Sequence, residues 1–218
     1  MKKNPGVLKI RRRFASRRNS VFLGARRLGQ KVIDIIIKRH GDENDTRREY
    51  EILHGLHAAG LRVPRPYGFI RNVLFMEYIP GILLTELVEK QEVPAAEWTG
   101  RLADWFYSFH RLPAGRDGVC HNKHDVNLRN FIYSDGRFYG IDFEAEERGT
   151  PERDLGRVSA YILADRPAFT REKYAAVIRF INQARRLDQK LSPYEAERHM
   201  AEEMAAILER RKTGIKPD

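Results

Sequence analysis

Strand-forming and helix-forming segments are segregated along this chain, and the segregation limits it to an α+β architecture of two unequal parts. Val7 to Phe14, Val21 to Arg26 and Val32 to Lys38 are rich in β-branched and aromatic residues. Polar or glycine-containing turns separate them, as in an antiparallel meander. The period then changes. Over Thr46 to Ala59, Tyr50, Leu53 and Leu56 fall to one side at helical spacing, and Gly60 stands where a helix C-terminal cap belongs. Pro64 and Pro66 bar continuation, and Tyr67 to Ile70 and Val73 to Tyr78 return to strand character. The first part is therefore expected to be a five-stranded antiparallel sheet carrying one helix.

After the connector Ile79-Pro80-Gly81 the helical signal dominates. Leu102, Trp105, Phe106 and Phe109 make an apolar stripe on a helix ending before Pro113, read as core. A further helix is expected over Arg171 to Leu187. Ser192-Pro193-Tyr194-Glu195 supplies an N-cap, a proline at the first helical position and a capping-box glutamate, so a last helix runs toward Gly214. With no fixed-period repeat, the division is 1–78 and 79–218. A ligand cleft is expected between the two parts. The chain is 42% hydrophobic and 32% charged, enough apolar content to bury such a core.

The stretch Lys123-His124-Asp125-Val126-Asn127-Leu128-Arg129-Asn130 carries the chemistry, followed by a short hairpin and then Ile141-Asp142-Phe143-Glu144. A tight loop presents Asp125 and Asn130 on one side, and the hairpin returns Asp142 beside them. Phosphoryl transfer asks a protein for a carboxylate at the acceptor hydroxyl and for hard oxygen ligands to magnesium. Asp125 suits the first task, Asn130 and Asp142 the second. Taken singly, the same residues would also serve as turn and strand-end residues.

From about Ser16 to Leu163 these features resemble the protein-kinase-like superfamily, and within it the aminoglycoside and choline phosphotransferase branch. The resemblance implies a bilobal kinase-like fold, with ATP (or GTP) and Mg2+ as cofactors. It implies Asp125 as catalytic base and Asn130 and Asp142 as metal ligands. Lys38, at the end of a strand, matches the lysine that contacts the nucleotide phosphates, and Glu49 its helix partner, with Glu51 as the fallback. Glu77 and Ile79 fall at the hinge, where adenine is held through backbone carbonyl and amide. Asp154 matches the aspartate that braces the catalytic loop.

Three departures accompany the match. The phosphate-covering loop reads Ala15-Ser16-Arg17-Arg18-Asn19-Ser20 without a glycine, so Ser16, Asn19, Ser20 and backbone N–H groups would have to cradle phosphate, with Arg17 or Arg18 adding charge. Lys123 occupies the place of the usual histidine two residues before the base, with His124 adjacent. Glu144 follows Asp142-Phe143 where protein kinases have glycine, and only a short run separates it from Asp154. The last two features point to a small-molecule hydroxyl acceptor. An envelope-glycan kinase, a small RIO-like protein kinase and a non-catalytic nucleotide-binding module are the alternatives. The acidic run Glu144, Glu146, Glu147 and Glu152 would suit a polycationic acceptor, or be a solvated loop.

Charge is placed unevenly. Lys2, Lys3, Lys9, Arg11, Arg12, Arg13, Arg17, Arg18, Arg26, Arg27 and Lys31 precede the first acidic residue, Asp34, while the whole chain is formally +10. An anionic partner is expected there, whether glycolipid, membrane surface or nucleic acid, against the alternative of a solubilising face. No apolar run is long enough for a transmembrane segment, and no apolar stretch of a secretory signal follows the basic start. The single cysteine, Cys120, with His121 and His124 nearby, lacks the paired spacing of a zinc site and fits a reducing, cytoplasmic setting. A monomer or weak dimer is expected.

Overall fold

The structure is a computed structural model that describes residues 9–16, 18–112 and 120–213. Lys2, Lys3, Val7, Arg17, Pro113, Gly214 and the side chain of Glu146, all used in the sequence reading, lie outside the described residues. The chain divides into two compact units, Met1–Ile79 and Pro80–Asp218.

The first unit is a five-stranded antiparallel sheet with one helix, as expected. The strands are β1 (Lys9–Phe14), β2 (Ser20–Leu28), β3 (Lys31–Arg39), β4 (Pro66–Ile70) and β5 (Val73–Glu77), in the order β1-β2-β3-β5-β4. Gly29, at φ +63°, opens the two-residue turn between β2 and β3, where a side chain would be strained. Helix α1 (Glu43–Ala58) starts three residues before the expected Thr46, because Asp42 caps it by accepting from the N–H groups of Asn44 and Asp45. It ends at Gly60, whose N–H donates to His57 O while Leu61 N–H reaches back to Leu56 O. Gly60 takes φ +83° for this closure. The buried stripe is Thr46, Glu49, Leu53 and Leu56, so a carboxylate lies within the helix's packed face.

The second unit contains α2 (Leu84–Lys90), α3 (Ala95–His110), α4 (Pro151–Ala164), α5 (Arg171–Leu187) and α6 (Pro193–Lys212). Strands β6 (Ile82–Leu83), β8 (Phe131–Ser134) and β9 (Arg137–Gly140) form one small sheet, and β7 (Cys120–Lys123) pairs with β10 (Glu146–Gly149). Neither α2 nor β6, β7 and β10 is marked in the sequence, since two to seven residues are too few for a period to register. Trp105 anchors the core: it stacks on Phe109 at 5.3 Å and meets Phe106 and Phe131 edge-on. Gly140 leaves room for it, because a Cβ there would run into the Trp105 ring. No helix among the described residues is long and apolar enough to cross a membrane.

The capping box at α6 is only half made. Ser192 accepts from Glu195 N–H, but the Glu195 carboxylate turns to Arg198 at 2.9 Å. The Ser192 N–H donates instead to Glu152 on α4, so a contact between helices replaces the local one. Gly156 lets α4 and α6 approach closely: a Cβ on it would meet the Ala196 carbonyl and lie 2.7 Å from His199 Cβ. Gly156→Ala should therefore lower stability by about 1–3 kcal/mol through overpacking, despite its better helix propensity. Urea denaturation of the two proteins checks it.

Candidate active site

In the first unit, register places Lys38 and Ile36 on one face of β3 and Ile35 and Ile37 on the other. Lys38 and Glu49 are both buried, and Nζ stands 2.7 Å from Glu49 Oε2. The same oxygen lies 2.6 Å from His40 Nε2, which faces a carboxylate and so donates. Thr46 Oγ1 lies 3.0 Å from His40 Nδ1, and Asn72 holds the His40 carbonyl. Two donors on one oxygen offset the desolvation of a buried carboxylate, which a lone ion pair often fails to do. Glu49 Oε1 is left without a hydrogen-bond partner among the described residues. Glu51 is exposed, so the helix partner of Lys38 is Glu49. His40 went unmarked in the sequence; its only signal is its place two residues after Lys38, just past the end of β3.

At the end of β5, Glu77 N–H donates to Arg65 O and its carboxylate accepts from Arg65 N–H. Ile79 is buried. In the turn between β1 and β2, Ser16 is exposed and Asn19 half-buried, whereas Ser20 is the first residue of β2, paired with Arg39.

In the second unit, the segment after β7 folds through two side-chain turns. Asp125 Oδ1 accepts from Asn127 N–H, and Asn127 Oδ1 accepts from Arg129 N–H ahead of a 3-10 turn over Leu128–Asn130. Asn130 Nδ2 donates to Asp125 O at 3.3 Å, which orients the amide so that its oxygen points away from that contact. Asn130 O accepts from Ile141 N–H, drawing the loop to the residue before Asp142. Asp142 takes φ +63°, a conformation a non-glycine residue holds only where its surroundings impose it.

Lys123 imposes it. The side chain is buried, with Nζ donating to the carbonyls of Ile141 at 2.8 Å and Asp142 at 2.9 Å and lying 4.1 Å from the centre of the Phe143 ring. The Lys123 N–H donates to Asp154 Oδ2 at 3.0 Å, and His110 Nε2 lies 2.9 Å from the same oxygen. Asp154, fully buried on α4, thus holds the strand from which the loop departs. Arg157, one turn on, donates to the carbonyls of His124 and, more weakly, Lys123, and pairs with Glu203 of α6 at 3.1 Å. Burial, and after it the carboxylates of Glu203 and Asp125, pushes the Tyr161 phenol up to about 12.

The acidic run is not an open cluster. Glu147 pairs with His124 at 2.7 Å and Arg153 at 3.1 Å, and Arg157 lies at 3.7 Å. Glu152 is bound to the Ser192 N–H. Cys120 is buried with its thiol donating to Gly149 O, and burial pushes that thiol up to about 12.

The RIO domain family matches residues 30–146. A 3-deoxy-D-manno-octulosonic acid kinase of Pasteurella multocida (strain Pm70) is 32% identical over 109 residues, covering 44% of this chain and 42% of that protein. The chain therefore spans less than half the length of this relative. Among solved structures, the ADP-bound aminoglycoside phosphotransferase APH(2'')-Ib superposes with TM-score 0.60 at 13% identity, covering 92% of each chain. An ethanolamine kinase of Plasmodium vivax gives 0.61 at 11% identity, covering 90% of this chain and 71% of its own. At such identities the likeness is one of fold, and the fold is protein-kinase-like.

Replacing Lys123 by methionine keeps the apolar stem but leaves the carbonyls of Ile141 and Asp142 without this donor. Each orphaned carbonyl costs about 1–3 kcal/mol, so the two together predict that Lys123→Met loses about 2–6 kcal/mol, read as a lower urea midpoint.

Proposed function

Because the chain belongs to the RIO domain family, we propose that it is an ATP-dependent phosphotransferase that phosphorylates a hydroxyl group. The observation that carries this reading is the way Lys123 and Asp154 hold Asp125, Asn130 and Asp142 in one ordered segment, in a chain that also has the buried Lys38–Glu49 pair. An assembly of buried charges this costly to desolvate fits a site that must meet other charges.

In this reading Asp125 orients the acceptor hydroxyl and takes its proton, while its Oδ1 bond to Asn127 N–H keeps the carboxylate from rotating away. Lys38, steadied by Glu49, places its ammonium on the nucleotide phosphates, and His40 keeps Glu49 from turning. Glu77 and Ile79 would hold the base through carbonyl and amide, and Ser16, Asn19 and Ser20 border the phosphates.

The donor set fits Mg2+. Asn130 has its amide nitrogen committed to Asp125 O, which leaves the harder amide oxygen as the ligand, and Asp142 adds a carboxylate on a backbone fixed by Lys123. Bound Mg2+ and nucleotide supply the γ-phosphoryl group and the positive charge that offsets it.

For the acceptor, the 32% identity to a sugar-acid kinase favours a hydroxyl on an acidic glycan over a polycationic aminoglycoside. The pairing of Glu147 with His124 and Arg153 supports the same choice, since that carboxylate is no longer available to a cation.

Transfer of radiolabelled γ-phosphate from ATP or GTP tests the proposal, over lipid-linked acidic sugars, aminoglycosides, choline-like alcohols and protein acceptors. Transfer should require Mg2+ and fall about 10²- to 10⁴-fold in Asp125→Asn, Asp142→Asn and Lys38→Met. Protein labelling alone would favour the RIO-like protein kinase. Nucleotide binding without transfer to any acceptor would leave a binding module.

A further inference from the structure

The basic strands of the first unit are not accounted for by phosphoryl transfer. Lys9, Arg12, Arg13, Arg26, Arg27 and Lys31 are all exposed. Among the described residues none of the six has a carboxylate partner; Asp34, the single acidic residue on β1 to β3, is taken by Arg11 at 2.7 Å. Register divides the six between the two faces of the sheet: Lys9, Arg12 and Arg27 on one, Arg13, Arg26 and Lys31 on the other. Because β1 is the edge strand, whatever approaches this edge meets cations from both faces. Ile10 and Val32 stand among them, 58% and 55% exposed.

Charges on an edge strand can serve to prevent pairing with another strand. That role would be filled by β1 alone and does not require Arg26, Arg27 and Lys31 on the strands behind it. We propose that the corner of the sheet where the β1 edge meets the β2–β3 turn docks on an anionic lipid surface, with the six cations over headgroup phosphates and Ile10 and Val32, one on each face, entering the interfacial layer. Long basic side chains around isolated apolar ones match the layering of such a surface, charge outside and hydrocarbon beneath.

Nucleic acid fits less well. Single-stranded binding draws on open aromatic faces for stacking. Here the guanidinium of Arg12 covers Phe14 at 5.0 Å and that of Arg13 approaches Phe22 at 5.9 Å, and both rings are half-buried.

Co-sedimentation of the full chain with vesicles tests this. Equimolar phosphatidylglycerol and phosphatidylcholine vesicles should bind it in low salt, and phosphatidylcholine alone should not. The pair Arg12→Gln and Arg13→Gln, and separately Arg26→Gln and Arg27→Gln, should each weaken binding about 25-fold, at about fivefold for each charge removed. The pair Arg185→Gln and Arg186→Gln on α5 removes the same charge elsewhere and should change it less than about twofold. Ile10→Ser with Val32→Ser should weaken binding while keeping its salt dependence, and circular dichroism of each variant checks folding. Equal binding to both vesicle types, or equal loss in the α5 pair, overturns the proposal. So does tighter binding of a single-stranded RNA oligonucleotide through the same arginines. The readout is binding, so its failure leaves the phosphotransferase reading standing, and an inactive protein that binds vesicles leaves this one standing.

Discussion

Lys123 is the strut on which the segment from Asp125 to Asp142 depends. Its backbone N–H is tied to Asp154 on one side, and its ammonium is tied to the carbonyls of Ile141 and Asp142 on the other. One residue therefore fixes both the strand that leads into Asp125 and the backbone that carries Asp142. A buried cation held by carbonyls and an aromatic face is costly unless its donors are satisfied, and that cost makes the arrangement rigid. Removing the ammonium leaves the bond from Ile141 N–H to Asn130 O to join the loop to the backbone ahead of Asp142, without the two carbonyl contacts that fix Asp142 itself.

Glu49 plays a comparable part in the first unit. Its Oε2 gathers Lys38 and His40, and His40 is held by Thr46 and Asn72. The lysine that the proposed reaction uses thus belongs to a buried set of side chains that hold one another in place. Both units follow one physical rule: a charged group is taken out of water only where several neighbours converge on it. The same neighbours then decide where it points.

Long periodic segments were legible in the sequence. Helix α5 has the expected bounds, and the five strands of the first sheet stand where β-branched residues cluster. The spacing of Asp125, Asn130 and Asp142 marked the stretch that Lys123, Ile141 and Asn130 tie together. What stayed hidden was short or tertiary. Strands β7 and β10 are four residues each and exist because they pair with one another. Lys123 could be seen as a departure at its position, but its partners lie 18 and 19 residues on, across a hairpin whose register no local pattern gives. Arg157 reads as an ordinary helix arginine until α6 and the loop carbonyls are placed around it. Ser192 and Glu195 show the converse, where a local motif was read fully and α4 claimed half of it.

Charge is the quantity that sequence proximity misjudges most. Glu147 and Glu152 sit in an acidic run, yet Glu147 is matched by His124 and Arg153, and Glu152 accepts from the N–H of the helix-capping Ser192. The basic strands are equally clustered, and Asp34 offsets only one of their cations. Paired charges act at the range of a hydrogen bond, whereas unpaired ones act over a Debye length of about 8 Å at physiological ionic strength. The formal +10 of the chain is therefore felt at the β1 edge of the first sheet far more than around the acidic run. That difference separates the two features physically: Glu147 and Glu152 are engaged by neighbours within the second unit, whereas the six exposed cations of the first sheet have no carboxylate partner among the described residues.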